Sequence, residues 1–157
     1  MSKHFITMTV NGRERSLHVD STDSLLDVLR NRLDIKSVKD GCGTGDCGLC
    51  AVILNGRLVN SCIVLAAQCR GAQVTTLEGL LEDPQMKSLQ GRFLKYNAAQ
   101  CGFCTPAMLV AAKDILSRTV RPTEDDIKAG ISGVLCRCTG YYPIIQAIQE
   151  ASEGRSR

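Results

Sequence analysis

Nine of the 157 residues are cysteines, and eight of them fall into two groups of four. Cys42, Cys47, Cys50 and Cys62 are spaced C-x4-C-x2-C-x11-C, and further on a C-x2-C pair, Cys101 and Cys104, is answered by a C-x1-C pair, Cys136 and Cys138. Thiolates are soft donors, and four of them satisfy one zinc ion or one iron–sulfur cluster. A disulfide framework is the competing use of so many cysteines. The odd count argues against it, and so does the opening "MSKHFITMTV", which has no charged segment leading into a long apolar one and no twin arginine. In a reducing cytosol thiols stay free, and cysteines clustered this way are metal ligands.

The x4–x2 spacing with a fourth cysteine further on is that of plant-type [2Fe–2S] sites. In "KDGCGTGDCGLC" these cysteines are interleaved with Gly41, Gly43, Gly45 and Gly48. Glycine reaches positive φ freely, so such a loop can wrap tightly and turn backbone N–H groups toward the sulfurs of an anionic cluster. Zinc sites usually pair C-x2-C with a second C-x2-C or with a pair of histidines, and the x4 spacing and the glycine run depart from that. Mixed His/Cys ligation needs two histidines close by, whereas His4 and His18 lie in the N-terminal hairpin and read as ordinary strand residues. In the second set each cysteine pair stands just ahead of a predicted helix, whose N-terminal partial charge and free N–H groups favour a buried anion. The C-x1-C spacing is unusual for zinc, and two clusters in one chain make a wire. Cys69 closes the apolar run "CIVLAAQC" with no partner spacing and reads as a small buried hydrophobe.

The elements that must hold these sets follow from periodicity and turn chemistry. "FITMTV" and "RSLHV" are predicted strands joined at Asn11-Gly12, and "AVILNGRLVNS" is a second strand pair around Asn55-Gly56. "STDSLLDVLRNRL" is a helix capped by Thr22 or Asp23, with Leu25, Leu26, Leu29 and Leu33 on one face. "CIVLAAQC" is a short helix or buried run, and "AQVTTLEGL" a last strand and turn. After Glu82-Asp83-Pro84 the pattern is helical: "MKSLQGRFLKYNAA", "TPAMLVAAKDILSR" with Thr105 as cap and Pro106 in the first turn, "PTEDDIKAGISGVL" with a Thr123/Asp126 capping box, and "PIIQAIQEAS". Cys104-Thr105-Pro106 and Cys138-Thr139-Gly140 echo one another, each opening a helix, and the tail "EGRSR" is irregular. The fold class is therefore α+β. A β-grasp, plant-type ferredoxin-like domain of four or five strands spans residues 1–83, and a four-helix [2Fe–2S]-binding domain spans residues 84–157.

Composition narrows the function. Apolar residues make up 44%, aromatic residues only 4%, and the net charge is +3 with both signs interspersed, so no basic footprint for nucleic acid stands out. No apolar run reaches membrane-spanning length, and the chain reads as soluble and cytoplasmic. There is no phosphate loop, dinucleotide fingerprint or nucleophile–base pattern. Bond chemistry therefore belongs to partner chains.

"KDGCGTGDCGLC", "NSCIVLA", "TLEGL", "QCGFCTP" and "LCRCTGYYPII", in unbroken order over residues 4–150, resemble the small iron–sulfur subunit of the xanthine oxidase family of molybdenum hydroxylases. The resemblance implies that electrons from a molybdopterin centre in a large subunit pass through two [2Fe–2S] clusters to FAD in a medium subunit or to another acceptor. It makes Cys101, Cys104, Cys136 and Cys138 the molybdenum-proximal ligands and Cys42, Cys47, Cys50 and Cys62 the flavin-proximal ones. It places Gln100 and Cys138 beside the pterin, and it implies a free-standing subunit within a dimer of heterotrimers. Similar subunits serve purines, aldehydes, N-heterocycles, carbon monoxide and aromatic thioesters. Asp46, Leu49 and Ala107 depart from the residues most common at their positions in the family, and none of the three removes a ligand. Two other readings compete. A stand-alone shuttle ferredoxin needs neither the helical module nor a second cluster, and a zinc-stapled interaction module does not suit the spacing. Large partner interfaces should leave apolar patches exposed on the isolated chain.

Overall fold

The computed structural model describes residues 2–154. β1 (Lys3–Val10) pairs antiparallel with β2 (Arg13–Asp20), and β3 (Ala51–Leu54) with β4 (Arg57–Asn60). Both hairpins turn on an Asn-Gly pair with positive φ at each residue, 51° and 75° at Asn11-Gly12 and 48° and 78° at Asn55-Gly56, the twist that suits two-residue hairpins. β5 (Gln73–Thr75) lies between the hairpins, parallel to β1 and antiparallel to β3, giving the order β2-β1-β5-β3-β4. Period-two alternation turns Ile6, Met8 and Val10 of β1 inward, where they join Val19, Val52 and Val74 against Leu25, Leu26, Val28 and Leu29.

The segment carrying those leucines departs from the expected helix. α1 (Leu25–Asp27) is a single α turn that widens at once into a π turn over Val28–Arg32. Its cap is Ser24, in place of Thr22 or Asp23. The Asp27 N–H donates to Ser24 Oγ and the Ser24 N–H to Asp27 Oδ2, both at 3.1 Å. Asp23 is engaged elsewhere, accepting the Asp20 N–H at 2.8 Å and pairing with Arg32 at 2.5 Å. "CIVLAAQC" forms two 3-10 turns, Ser61–Ile63 and Ala66–Cys69, with Cys69 buried.

The second half opens with a single turn, α2 (Leu77–Leu80), followed by α3 (Pro84–Lys95), α4 (Thr105–Arg118), α5 (Glu124–Ile131) and α6 (Tyr142–Glu153). α3 starts before Met86 because Asp83 Oδ1 accepts the N–H groups of Gln85 and Met86 at 2.7 and 3.3 Å and Pro84 fills the first turn. It also ends earlier than expected, at Lys95, two residues before Asn97 takes a φ of 52°. Cys104, not Thr105, takes the N-cap position of α4, with no side-chain cap hydrogen bond, and the Thr105 hydroxyl is buried with no hydrogen-bond partner among the described residues. The Thr123/Asp126 capping box of α5 is as expected. α6 does not open at Cys138, so the echo with Cys104 is one of sequence only. Glu153 is still helical, and the rest of the expected irregular tail, residues 155–157, lies outside the described residues.

The helical core gathers Leu89, Phe93, Met108, Leu116, Ile127, Ile131, Ile144 and Ile148. It also takes in Ala51 from β3, with Leu49, Ile53 and Leu58 packed against it. The sheet thus lends its second face to the helices, and the two halves share apolar surface. No helix among the described residues is long and apolar enough to cross a membrane.

Candidate metal centres

The first cysteine set is built by the loop leading into β3. Gly43, Gly45 and Gly48 have φ of 67°, 88° and 68°, as the sequence suggests. Gly41 does not; a Cβ there would lie 2.8 Å from both Cys47 Sγ and Leu49 Cδ1, so this glycine supplies room instead. The wrapped loop aims the N–H groups of Thr44 and Cys47 at Cys42 Sγ, each at 3.4 Å. Thr44's side chain foremost, then those two N–H groups, pull the Cys42 thiol down to about 6. Cys50 enters from the start of β3 and Cys62 from the 3-10 turn after β4. Burial, and then the neighbouring Cys50 thiol, push Cys62 up to about 11, and burial also raises Cys47. Asn60 Nδ2 donates to the Gly45 carbonyl at 2.7 Å and ties the loop to the strand beside Cys62.

The second set lies where two loops meet. Cys101 and Cys104 precede α4, and Cys136 and Cys138 precede α6. All four line a cavity of about 570 Å³ together with Phe103, Leu135 and Cys47 of the first set. Cys104 is pushed up to about 12 by burial and by Cys136. Burial presses Cys136 upward too, but the Thr139 hydroxyl and backbone N–H groups outweigh it and hold that thiol down. The Phe103 N–H lowers Cys101, and the Cys101 thiol raises Cys138. Gln100 is exposed at the mouth of the first of these loops.

The two sets touch through the backbone. The N–H of Leu135, the residue before Cys136, donates to the carbonyl of Cys47 at 2.9 Å. Gly48 permits that approach: a Cβ on it would fall 1.9 Å from the Gly133 carbonyl oxygen.

Donor chemistry and arrangement can be tested against a two-iron cluster. Within each set the thiols influence one another: Cys47 and Cys42, and Cys62 with Cys50 and Cys42, in the first, and all four in the second, where Cys136 acts on Cys101, Cys104 and Cys138. A [2Fe–2S] cluster takes four thiolates, and each set supplies four. Zinc sites of four cysteines usually pair one C-x2-C with another, and neither set has that spacing. Raised thiols such as Cys62 and Cys104 ionise when a bound metal supplies the positive charge. The residues present fit an iron–sulfur cluster at each set.

Two residues that ligand spacing did not single out also shape the second set. Thr139 Oγ1 lies 3.1 Å from Cys136 Sγ, and the Tyr141 hydroxyl accepts the Cys136 N–H at 3.0 Å. Their signal in the sequence is Thr-Gly immediately after the last ligand in "CRCTGYY": a hydroxyl followed by a flexible residue at the end of a ligand loop.

Fold and site together define an iron–sulfur protein with two cluster-binding modules in series. Residues 8–75 match the family described as "2Fe-2S iron-sulfur cluster binding domain", and residues 76–149 the "[2Fe-2S] binding domain" family. The chain is 44% identical over 153 residues to the nicotinate dehydrogenase small FeS subunit of Eubacterium barkeri, covering 98% of each. Its fold matches a chain of quinoline 2-oxidoreductase from Pseudomonas putida 86 with a TM-score of 0.90 at 38% identity, covering 96% of this chain and 94% of that one. Aldehyde oxidoreductase of Desulfovibrio desulfuricans matches with a TM-score of 0.87 at 42% identity over 94% of this chain, which corresponds to 17% of that longer one. The chain belongs to the small iron–sulfur subunits of the xanthine oxidase family of molybdenum hydroxylases. Its role is electron transfer within an oxidoreductase.

Proposed function

We propose that Cys42, Cys47, Cys50 and Cys62 hold one [2Fe–2S] cluster and Cys101, Cys104, Cys136 and Cys138 a second, with domains meeting near residue 83. When bound, such clusters take up and release single electrons, which no side chain of this chain does. The protein's part is to hold, shield and space them. Gly43, Gly45 and Gly48 wrap the first loop so that N–H groups face Cys42. The Cys47–Leu135 hydrogen bond, 2.9 Å long, fixes the two sets at a short backbone separation, and this is the observation that carries the relay reading.

The second set faces a large molybdopterin subunit, with Gln100 and Cys138 toward the pterin; the first faces an FAD-binding medium subunit. The assembly is a cytoplasmic dimer of heterotrimers. Support comes from the exposed apolar side chains beside each set: Phe103 and Leu135 by the second, Ile63 and Leu65 by the first. Such residues suit surfaces covered in a complex.

The test replaces one ligand in each set within the assembled enzyme. Cys104→Ser should alter one of two reduced-cluster electron paramagnetic resonance signals and block turnover, while Cys50→Ser alters the other. Two unchanged signals with intact turnover in Cys104→Ser would refute the ligand assignment.

A further inference from the structure

Tyr141 combines several unusual features. It is a bulky aromatic residue with φ 69°, a left-handed backbone that favours glycine. Its ring lines the cavity of the second cysteine set. Strain of this kind persists where surrounding contacts fix it, and it concentrates at functional sites. Here those contacts form a closed ring of three residues. The Tyr141 hydroxyl accepts the Cys136 N–H at 3.0 Å, the Tyr141 N–H donates to Thr139 Oγ1 at 3.2 Å, and Thr139 Oγ1 stands 3.1 Å from Cys136 Sγ.

The direction of the last contact follows from the other two and from the chemistry of the sulfur. A metal-bound thiolate has no proton to give, so the Thr139 hydroxyl is the donor. Its oxygen already accepts the Tyr141 N–H, and successive hydrogen bonds polarise one another. The result is a chain from the Tyr141 N–H through the Thr139 hydroxyl to the sulfur of Cys136. The Cys136 amide is meanwhile drawn away to the phenol. Thus Cys136 receives its charge-assisted bond from a side chain that the strained Tyr141 backbone orients. In the first set Cys42 Sγ has the N–H groups of Thr44 and Cys47 at 3.4 Å, whereas the Thr139 hydroxyl stands closer to its sulfur, at 3.1 Å.

We propose that Thr139, oriented by Tyr141, sets the reduction potential of the cluster held by Cys101, Cys104, Cys136 and Cys138, raising it relative to an undonated thiolate. A hydrogen bond to a ligand sulfur stabilises the reduced, more negative form and moves the potential upward. Thr139 is a positioning residue and takes no ligand place. The inference rests on the cluster assignment above.

The test is a redox titration of the assembled enzyme followed by electron paramagnetic resonance, with iron counted per chain. Thr139→Val and Thr139→Ala remove the hydroxyl without and with loss of bulk, and Thr139→Ser restores it. The expected result is about four irons per chain throughout, a lower midpoint for one cluster in the Val and Ala variants, an unmoved midpoint for the other, and wild-type values in the Ser variant. Full iron content with both midpoints unmoved in Val and Ala would overturn the role of Thr139. A Ser variant shifted as far as Val would overturn it too. Wild-type enzyme lacking the second pair of irons would instead overturn the cluster assignment itself.

Discussion

At the residue scale the glycines of the first cysteine loop do two different jobs. The eight candidate cysteines follow from composition and interval, and the four of the second set line one cavity. What spacing could not reveal is which glycine acts by conformation and which by size. Gly43 and Gly48 share a left-handed φ, yet nothing lies within 4 Å of a Cβ on Gly43, while one on Gly48 meets the Gly133 carbonyl at 1.9 Å. The second fact depends on a segment 85 residues away in the chain. Gly43→Ala should therefore cost roughly 1–2 kcal/mol from backbone alone. Gly48→Ala should cost more than about 3 kcal/mol and force the first loop away from Leu135. Thermal unfolding of the two variants checks this ranking, and equal shifts would contradict it. Thr-Gly after the last ligand marks where the Thr139–Tyr141 ring forms, but its closure depends on a left-handed tyrosine, φ 69°, which no propensity foresees.

At the element scale the hairpins were the most readable, because Asn-Gly turns state their own geometry. Helix starts were less so. Several capping residues compete near a start, and at α1 Asp23 is engaged by Arg32 and the Asp20 N–H, leaving Ser24 to cap. The π turn at Val28–Arg32 has no periodic signature over so short a span. Asp83 is a cap with consequences beyond its own helix. It also pairs with Lys113 of α4 at 2.6 Å. Burial pushes its carboxyl up, but Lys113 and the α3 N–H groups outweigh this and hold it below the usual range. A lowered folded value gives stability that is complete above the unfolded carboxylate range and is lost as pH falls through the folded value. Asp83→Ala should cost about 1 kcal/mol near neutral pH, and its deficit against wild type should shrink below about pH 4. Denaturant titrations at the two pH values measure both; a deficit that grew on acidification would contradict the sign.

At the scale of the whole molecule the sequence divides more sharply than the structure does. Composition changes near residue 83, yet Ala51 belongs to the helical core and Leu49, Ile53 and Leu58 pack on it. These residues alternate on strands, and alternation alone does not say what covers the second face. The shared face holds the cysteine sets in one fixed relation, which a relay needs. Exposed apolar residues flank both sets, with Ile63 63% and Leu135 53% exposed. The isolated, cluster-loaded chain should therefore self-associate with rising concentration, and Phe103→Ser with Leu135→Ser should reduce that tendency. Sedimentation velocity reads it, and a wild-type chain that stays monomeric at high concentration would contradict the docking role of this surface.

Everything above depends on this chain carrying two iron–sulfur clusters as part of a molybdenum enzyme. The most direct measurement is the iron, molybdenum and zinc content, per copy of this chain, of the complex recovered from its own host through a tag on this subunit. About four irons, molybdenum, partner chains and no stoichiometric zinc are expected. Iron without molybdenum or partners would point to a diffusing ferredoxin, and zinc in the cysteine sets would contradict the electron-transfer role altogether.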